Sequence, residues 1–116
     1  MSAWSRLKGA EGEREVVALL RDIFPSVRRR CSGEESQERQ GRDLDGVPGL
    51  CIQVQRAKAP TIERKLREAE AAAEGSEYPV AFTRRCARGV RDPWLVTMLA
   101  EDFIEILCMA RPERRC

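Results

Sequence analysis

Between residues 8 and 24 the apolar positions Val16, Val17, Leu20, Ile23 and Phe24 recur at helical spacing, and Pro25 ends the run. This predicts a first helix. Carried back from Phe24 through Leu20 and Val17, the core-facing stripe lands on Glu13. A carboxylate in that position needs a partner if it is buried, although an acid near a helix start can also stay hydrated and favour the helix dipole. Residues 26–30 can form a short strand. The polar, glycine-flanked stretch CSGEESQERQG that follows reads as a loop.

Two further strands are predicted over 43–47 and 50–55, joined across Gly46, Pro48 and Gly49 as a hairpin. In the second, Leu50, Ile52 and Val54 alternate with Cys51, Gln53 and Gln55, so the two glutamines share the face opposite the aliphatic residues. Pro60 and Thr61 open a second helix with Ile62, Leu66, Ala69 and Ala73 on one side and Gly75 at its end. Apolar strands are expected over 78–83 and 94–98, separated by an arginine-rich loop. A last helix over 101–109 is expected to bury Phe103, Ile106 and Leu107. The resulting order, αβββαββα without repeat or linker, implies an α/β fold with a mixed sheet flanked by helices.

The chain of 116 residues suits one domain with a single core, taken as 1–116. No apolar run approaches the ~20 residues of a bilayer span, and the segment MSAWSRLKGAEGE lacks the apolar stretch of a secretory signal, so a soluble protein of the cytoplasm is expected. The five cysteines are dispersed, with no C-x-x-C pair, and are read as reduced thiols. There is no histidine, which excludes Ser/His and Cys/His hydrolase schemes and leaves carboxylates, lysine or a bound metal to carry any chemistry.

Net charge is only +2, but arginine is clustered, at Arg28, Arg29 and Arg30 and again at Arg84, Arg85, Arg88 and Arg91. Such clusters suit either a solvated face or contacts to phosphate, for which the guanidinium fork is matched. Glu13, Asp43 and the glutamines Gln53 and Gln55 come from three neighbouring elements and can converge at one sheet edge. Their oxygens suit magnesium or manganese rather than zinc. Asp43 also fits a strand-end cap, and Asp45, before Gly46, fits turn chemistry.

The segments RLKGAEGEREVVALL, GRDLDGVPGLCIQVQRAK and YPVAFTRR with WLVTM, in that order and spacing, resemble the archaeal-type Holliday junction resolvases, a family that also occurs in phages. These belong to the PD-(D/E)XK (restriction-endonuclease-like) nuclease superfamily. The resemblance implies a homodimeric endonuclease that binds four-way DNA junctions and cuts them by magnesium-dependent phosphodiester hydrolysis, with manganese as a substitute. It places Glu13 and Arg14 on the first helix's motif, Asp43 on the metal-binding aspartate, and Gln53 and Gln55 where the family carries E-x-K. Glu13, Asp43 and Gln53 would then surround the metal, and Gln55, or Lys58 as a displaced lysine, would lie near the attacking water. Arg14, Arg28, Arg29, Arg30, Lys58, Arg84 and Arg85 would grip DNA. The Q-x-Q replacement removes one negative and one positive charge together, so metal affinity and catalysis should both fall while net charge is kept. A catalytically weakened junction-binding module is the alternative.

Overall fold

The computed structural model describes residues 3–30, 42–111 and 113. The expected polar loop at 31–41 lies outside these residues. The elements run α1 (Ala3–Leu20), β1 (Arg28–Arg29), β2 (Leu44–Asp45), β3 (Leu50–Ala57), α2 (Ile62–Ala72), β4 (Tyr78–Ala87), β5 (Val90–Arg91), β6 (Leu95–Met98) and α3 (Ala100–Ala110). This is the expected α/β order with one addition. The arginine-rich segment is not a loop: β4 continues through it and turns at Gly89 to pair Ala87 with Val90 and Cys86 with Arg91.

The sheet is mixed. β3 and β4 are parallel, with Gln53 beside Ala81 and Gln55 beside Thr83, and β6 lies antiparallel to β4, with Phe82 beside Val96. A parallel pair needs a crossover, which α2 supplies. The two-residue strands β1 and β2 pair antiparallel. Backbone bonds extend that ladder toward the main sheet, from Arg30 N to Asp43 O and from Asp43 N to Ile52 O, each 3.0 Å.

Both faces of β3 are covered, so its middle residues from Cys51 to Val54 are all buried despite alternating polarity. On one face Val16 and Val17 of α1 join Val27, Leu44, Val47, Ile52, Val54, Val80 and Phe82 in the main core, with Leu20, Phe24, Trp94 and Met98 at its margin. Gly12 permits this approach: a Cβ there would stand 3.0 Å from the Cβ of Arg56. On the other face α2 inserts Leu66 and Ala69. Between β2 and β3 the turn requires Gly46, which has φ of 84° and leaves no room for a Cβ against the Ser26 carbonyl.

Several expectations change. α1 ends at Leu20 rather than at Phe24, and Ile23 is 69% exposed. α3 buries none of its residues; Phe103 and Leu107 are about half exposed, and the helix is tied to the sheet by a 2.8 Å bond from the Tyr78 hydroxyl to Glu105 Oε1. Cys51 and Cys86 are free thiols, whereas Cys108 is disulfide-bonded, so the expected reduced state does not hold throughout. No helix among the described residues is long and apolar enough to cross a membrane.

Candidate functional site

Asp43 immediately precedes β2 and is bonded to β3, and its position is fixed from three directions. Its backbone is held by Arg30 and Ile52 as described, and its Oδ2 accepts a 2.7 Å hydrogen bond from the Val54 backbone N–H. Immediately before it, the buried Arg42 donates to both oxygens of Glu77, at 2.7 and 3.0 Å, and so anchors the start of β2 to the turn between α2 and β4. A paired fork of this kind is a directional clamp.

The charge around Asp43 comes from both flanking helices. Burial pushes its carboxyl up to about 6; the Val54 bond opposes this, the charge of Glu13 adds to it, Lys65 opposes it and Glu68 adds to it. Glu13 of α1 is held by Arg29 of β1, Nε to Oε1 2.9 Å. The acid carried by the first helix's core stripe is therefore partnered, as its position demanded.

Gln53 is 2% exposed, and its Oε1 accepts from Lys65 Nζ of α2 at 3.4 Å. The same ammonium pairs with Glu68 Oε1 at 3.1 Å. Gln55 has a different role. Its Oε1 accepts from the Thr61 backbone N–H at 2.8 Å, and its amide nitrogen lies 3.2 Å from the Thr61 hydroxyl, so the side chain secures the entry to α2. Its amide is engaged by a helix terminus and not held toward Asp43. Lys58 lies beyond β3 and is exposed. The lysine that reaches this cluster is Lys65.

Lys65 was not singled out in the sequence, although it falls between Ile62 and Ala69 at spacings of three and four, within the stripe that turns toward the sheet. The arginines also divide. Arg84 is drawn inward: it donates to Glu15 Oε1 and to the Asp92 carbonyl, and stands 5.9 Å from the centroid of the Trp94 ring. Glu15 also accepts from Trp94 Nε1 at 3.0 Å and pairs with Arg56 at 3.3 Å. Arg84 is thus part of a polar lock between α1, β3 and β4, and its assignment as a phosphate contact is withdrawn. Arg30 has only 10% of its side chain exposed and faces Asp45 at 3.8 Å, so it too is turned in. Arg85 remains exposed, paired with Asp92 at 2.8 Å. Arg14, Arg28 and Arg29 line one depression with Arg21.

The donor set near Asp43 consists of hard oxygens only: the carboxylates of Asp43 and Glu13 and the amide oxygen of Gln53. That chemistry fits magnesium or manganese; the raised Asp43 pKa comes chiefly from burial, with the charges of Glu13 and Glu68 adding smaller contributions. The set is nevertheless poor in charge: no group of three or more His, Cys, Asp or Glu among the described residues is placed to hold a metal ion. Comparison with protein-family models, with curated proteins and with solved structures returned no match.

Proposed function

We propose that this protein is a metal-dependent endodeoxyribonuclease of the PD-(D/E)XK type, a Holliday junction resolvase in which the motif lysine has moved from strand to helix. The observation that carries this reading is the ammonium of Lys65, 3.4 Å from Gln53 Oε1 and electrostatically coupled to Asp43. The positive charge absent at position 55 is supplied from α2, on the same side of the sheet.

In this reading Asp43, Glu13 and Gln53 hold a magnesium ion, which when bound supplies Lewis-acid polarisation of a phosphodiester and a nucleophilic hydroxide at neutral pH. Asp43 is kept in a fixed orientation by the Val54 N–H. Arg29 of β1 holds Glu13. Lys65 places a full positive charge beside the cluster, where it offsets negative charge developing on a phosphate and can orient a water through its one remaining N–H. Glu68 keeps that ammonium in place.

A four-way junction offers two equivalent strands, which a two-fold dimer can engage together. The reading accordingly takes the chain as a cytoplasmic homodimer joined through β6 and α3, where Leu95, Val96, Phe103, Ile104 and Met109 are each more than 49% exposed. Light scattering of Ile104→Glu tests this: a dimer reduced to monomer supports it, and an unchanged mass opposes it.

The second reading, a junction-binding module that no longer cuts, is favoured by the two neutral amides and by the lack of a three-acid group among the described residues. A labelled synthetic four-way junction incubated with magnesium and then manganese separates the two. Symmetric cuts support the nuclease; binding without cuts in either ion leaves the module.

A further inference from the structure

The face of the sheet that meets α2 continues past the acid cluster. Thr83 of β4 lies in register beside Gln55 of β3 on one side and Leu95 of β6 on the other, so the three side chains share that face. There the sheet and the entry to α2 border an open depression of about 520 Å³, walled by Pro60, Ile62, Pro93 and Leu95, with Thr83 among them. Ile62 is 37% and Leu95 51% exposed, which leaves apolar surface open to a ligand. The ion pair of Arg85 with Asp92, at 2.8 Å, completes the lining. The α2 wall is held in place, because Gln55 accepts from the backbone N–H of Thr61, between Pro60 and Ile62.

Thr83 makes the depression more than an apolar gap. It is 1% exposed, and its Oγ1 has no hydrogen-bond partner among the described residues. A buried hydroxyl left unpaired costs stability, which an apolar side chain of similar shape would avoid. A ligand with flat apolar faces and a polar edge satisfies both the walls and the hydroxyl. A nucleobase has that form, and enzymes acting on nucleic acids hold unstacked bases between apolar side chains with hydrogen bonds to the base edge. Position favours this occupant. Gln53 precedes Gln55 by two residues, about 6.6 Å along the strand, and Thr83 stands one strand across at ~4.8 Å, so Thr83 is about 8 Å from Gln53. That span is roughly two to three steps of a stacked DNA strand at ~3.4 Å each. Leu95 shares the face of Thr83, whereas Val96 shares that of the core residue Phe82, so a dimer joined through Val96 and α3 leaves the depression open.

We propose that the depression formed by Pro60, Ile62, Thr83 and Leu95 receives one unstacked nucleobase of a DNA strand whose backbone passes the acid cluster, and so gives binding a base preference at a fixed offset from that cluster. The proposal rests on the reading of this chain as a DNA-binding protein and deepens it. It does not require that the acid cluster cuts.

The test is photo-crosslinking of synthetic four-way junctions that carry a single 4-thiothymine, placed in turn at each of the nucleotides nearest the point of strand exchange, in EDTA so that nothing is cut. Wild type should crosslink strongly from one position, and tandem mass spectrometry should find the adduct on Pro60, Ile62 or Leu95. Ile62→Trp, which fills the depression, should lower that crosslink at least about tenfold while junction affinity, read by fluorescence anisotropy, falls less than about fivefold. Thr83→Val should weaken the same crosslink about threefold or more and be at least as stable as wild type in urea, since it removes a hydroxyl with no partner in the fold. Circular dichroism monitors the fold of each variant. Adducts elsewhere on the chain, an undiminished crosslink in I62W, or a T83V protein clearly less stable than wild type overturn the proposal. A junction that is bound without any crosslink overturns it and leaves the nuclease reading standing. The expected crosslinks from a protein that never cuts in magnesium or manganese refute the nuclease and leave the base site. A wild type with no affinity for the junction removes both.

Discussion

Replacing Asp43 with asparagine tests whether this carboxylate is held at the expense of stability, as a group kept for function would be. The native pKa of about 6, against an ordinary 3.8, means that the ionised form is disfavoured in the folded state by roughly 3 kcal/mol. Burial is the main cause, so the sign is fixed. Because the folded pKa is the higher one, the native state holds an extra proton between pH ~4 and ~6. The favourable contribution of this group is complete below pH ~4 and is lost as pH rises through about 6. Asparagine keeps an acceptor for the Val54 N–H, bonded at 2.7 Å in the wild type, and carries no charge. D43N should therefore be more stable than wild type at pH 8 by about 1–3 kcal/mol and equal to it near pH 4. Urea denaturation at half-unit pH intervals measures both curves, and their difference isolates this group from other titrations. Added magnesium should narrow the gap by stabilising wild type alone, by ~1.4 kcal/mol at ten times its dissociation constant. A D43N protein less stable than wild type at pH 8, or a difference that does not vary with pH, would refute the reasoning.

Three other substitutions separate the parts of the site. Gln55→Ala removes the acceptor at the entry to α2 and should cost about 1 kcal/mol of stability in urea while leaving junction cleavage per folded molecule unchanged; a loss of cleavage beyond tenfold would return Gln55 to the chemistry. Gln53→Glu adds a negative charge beside Asp43 and should tighten manganese binding, measured calorimetrically, by tenfold or more, since a unit charge at ~4 Å is worth up to about 4 kcal/mol at an effective dielectric of ~20. Unchanged manganese affinity would place position 53 outside the metal site. Glu15→Gln weakens the contacts to Arg84, Arg56 and Trp94 and should destabilise by about 2 kcal/mol, the partial exposure of the group lowering the figure expected for a fully buried pair; a change below about 0.5 kcal/mol would show the lock to be screened by solvent.

Much of the framework could be read from the chain, because it rests on local signals. Helical spacing located α1 and α2, alternation placed the two glutamines opposite the aliphatic residues, and the Gly46 to Gly49 segment marked the turn. What could not be read depended on partners distant in sequence. Nothing local to Arg42 announces Glu77, yet that pair anchors the entry to β2, where Asp43 lies. Glu15 attracts Arg84 across 69 residues, so a run of arginines that looks uniform in sequence splits into an inward member and exposed ones. Gln55 stands apart from its expected role and Lys65, given none in the sequence, reaches the cluster for a related reason: the strand residue is engaged by the helix that follows it, and that helix returns a lysine to the neighbouring glutamine. Burial of α3 was overestimated because its apolar spacing does not say whether the covering surface belongs to the same chain.

The most direct test of the central claim is cleavage of a labelled four-way junction in magnesium by wild type, D43N and Lys65→Met, with junction binding measured in parallel. The account predicts paired cuts by wild type, none by D43N, and a rate at least about a hundredfold lower for K65M, with binding retained in all three. Full cleavage by K65M would contradict the assignment of the lysine, and full cleavage by D43N would contradict the site itself.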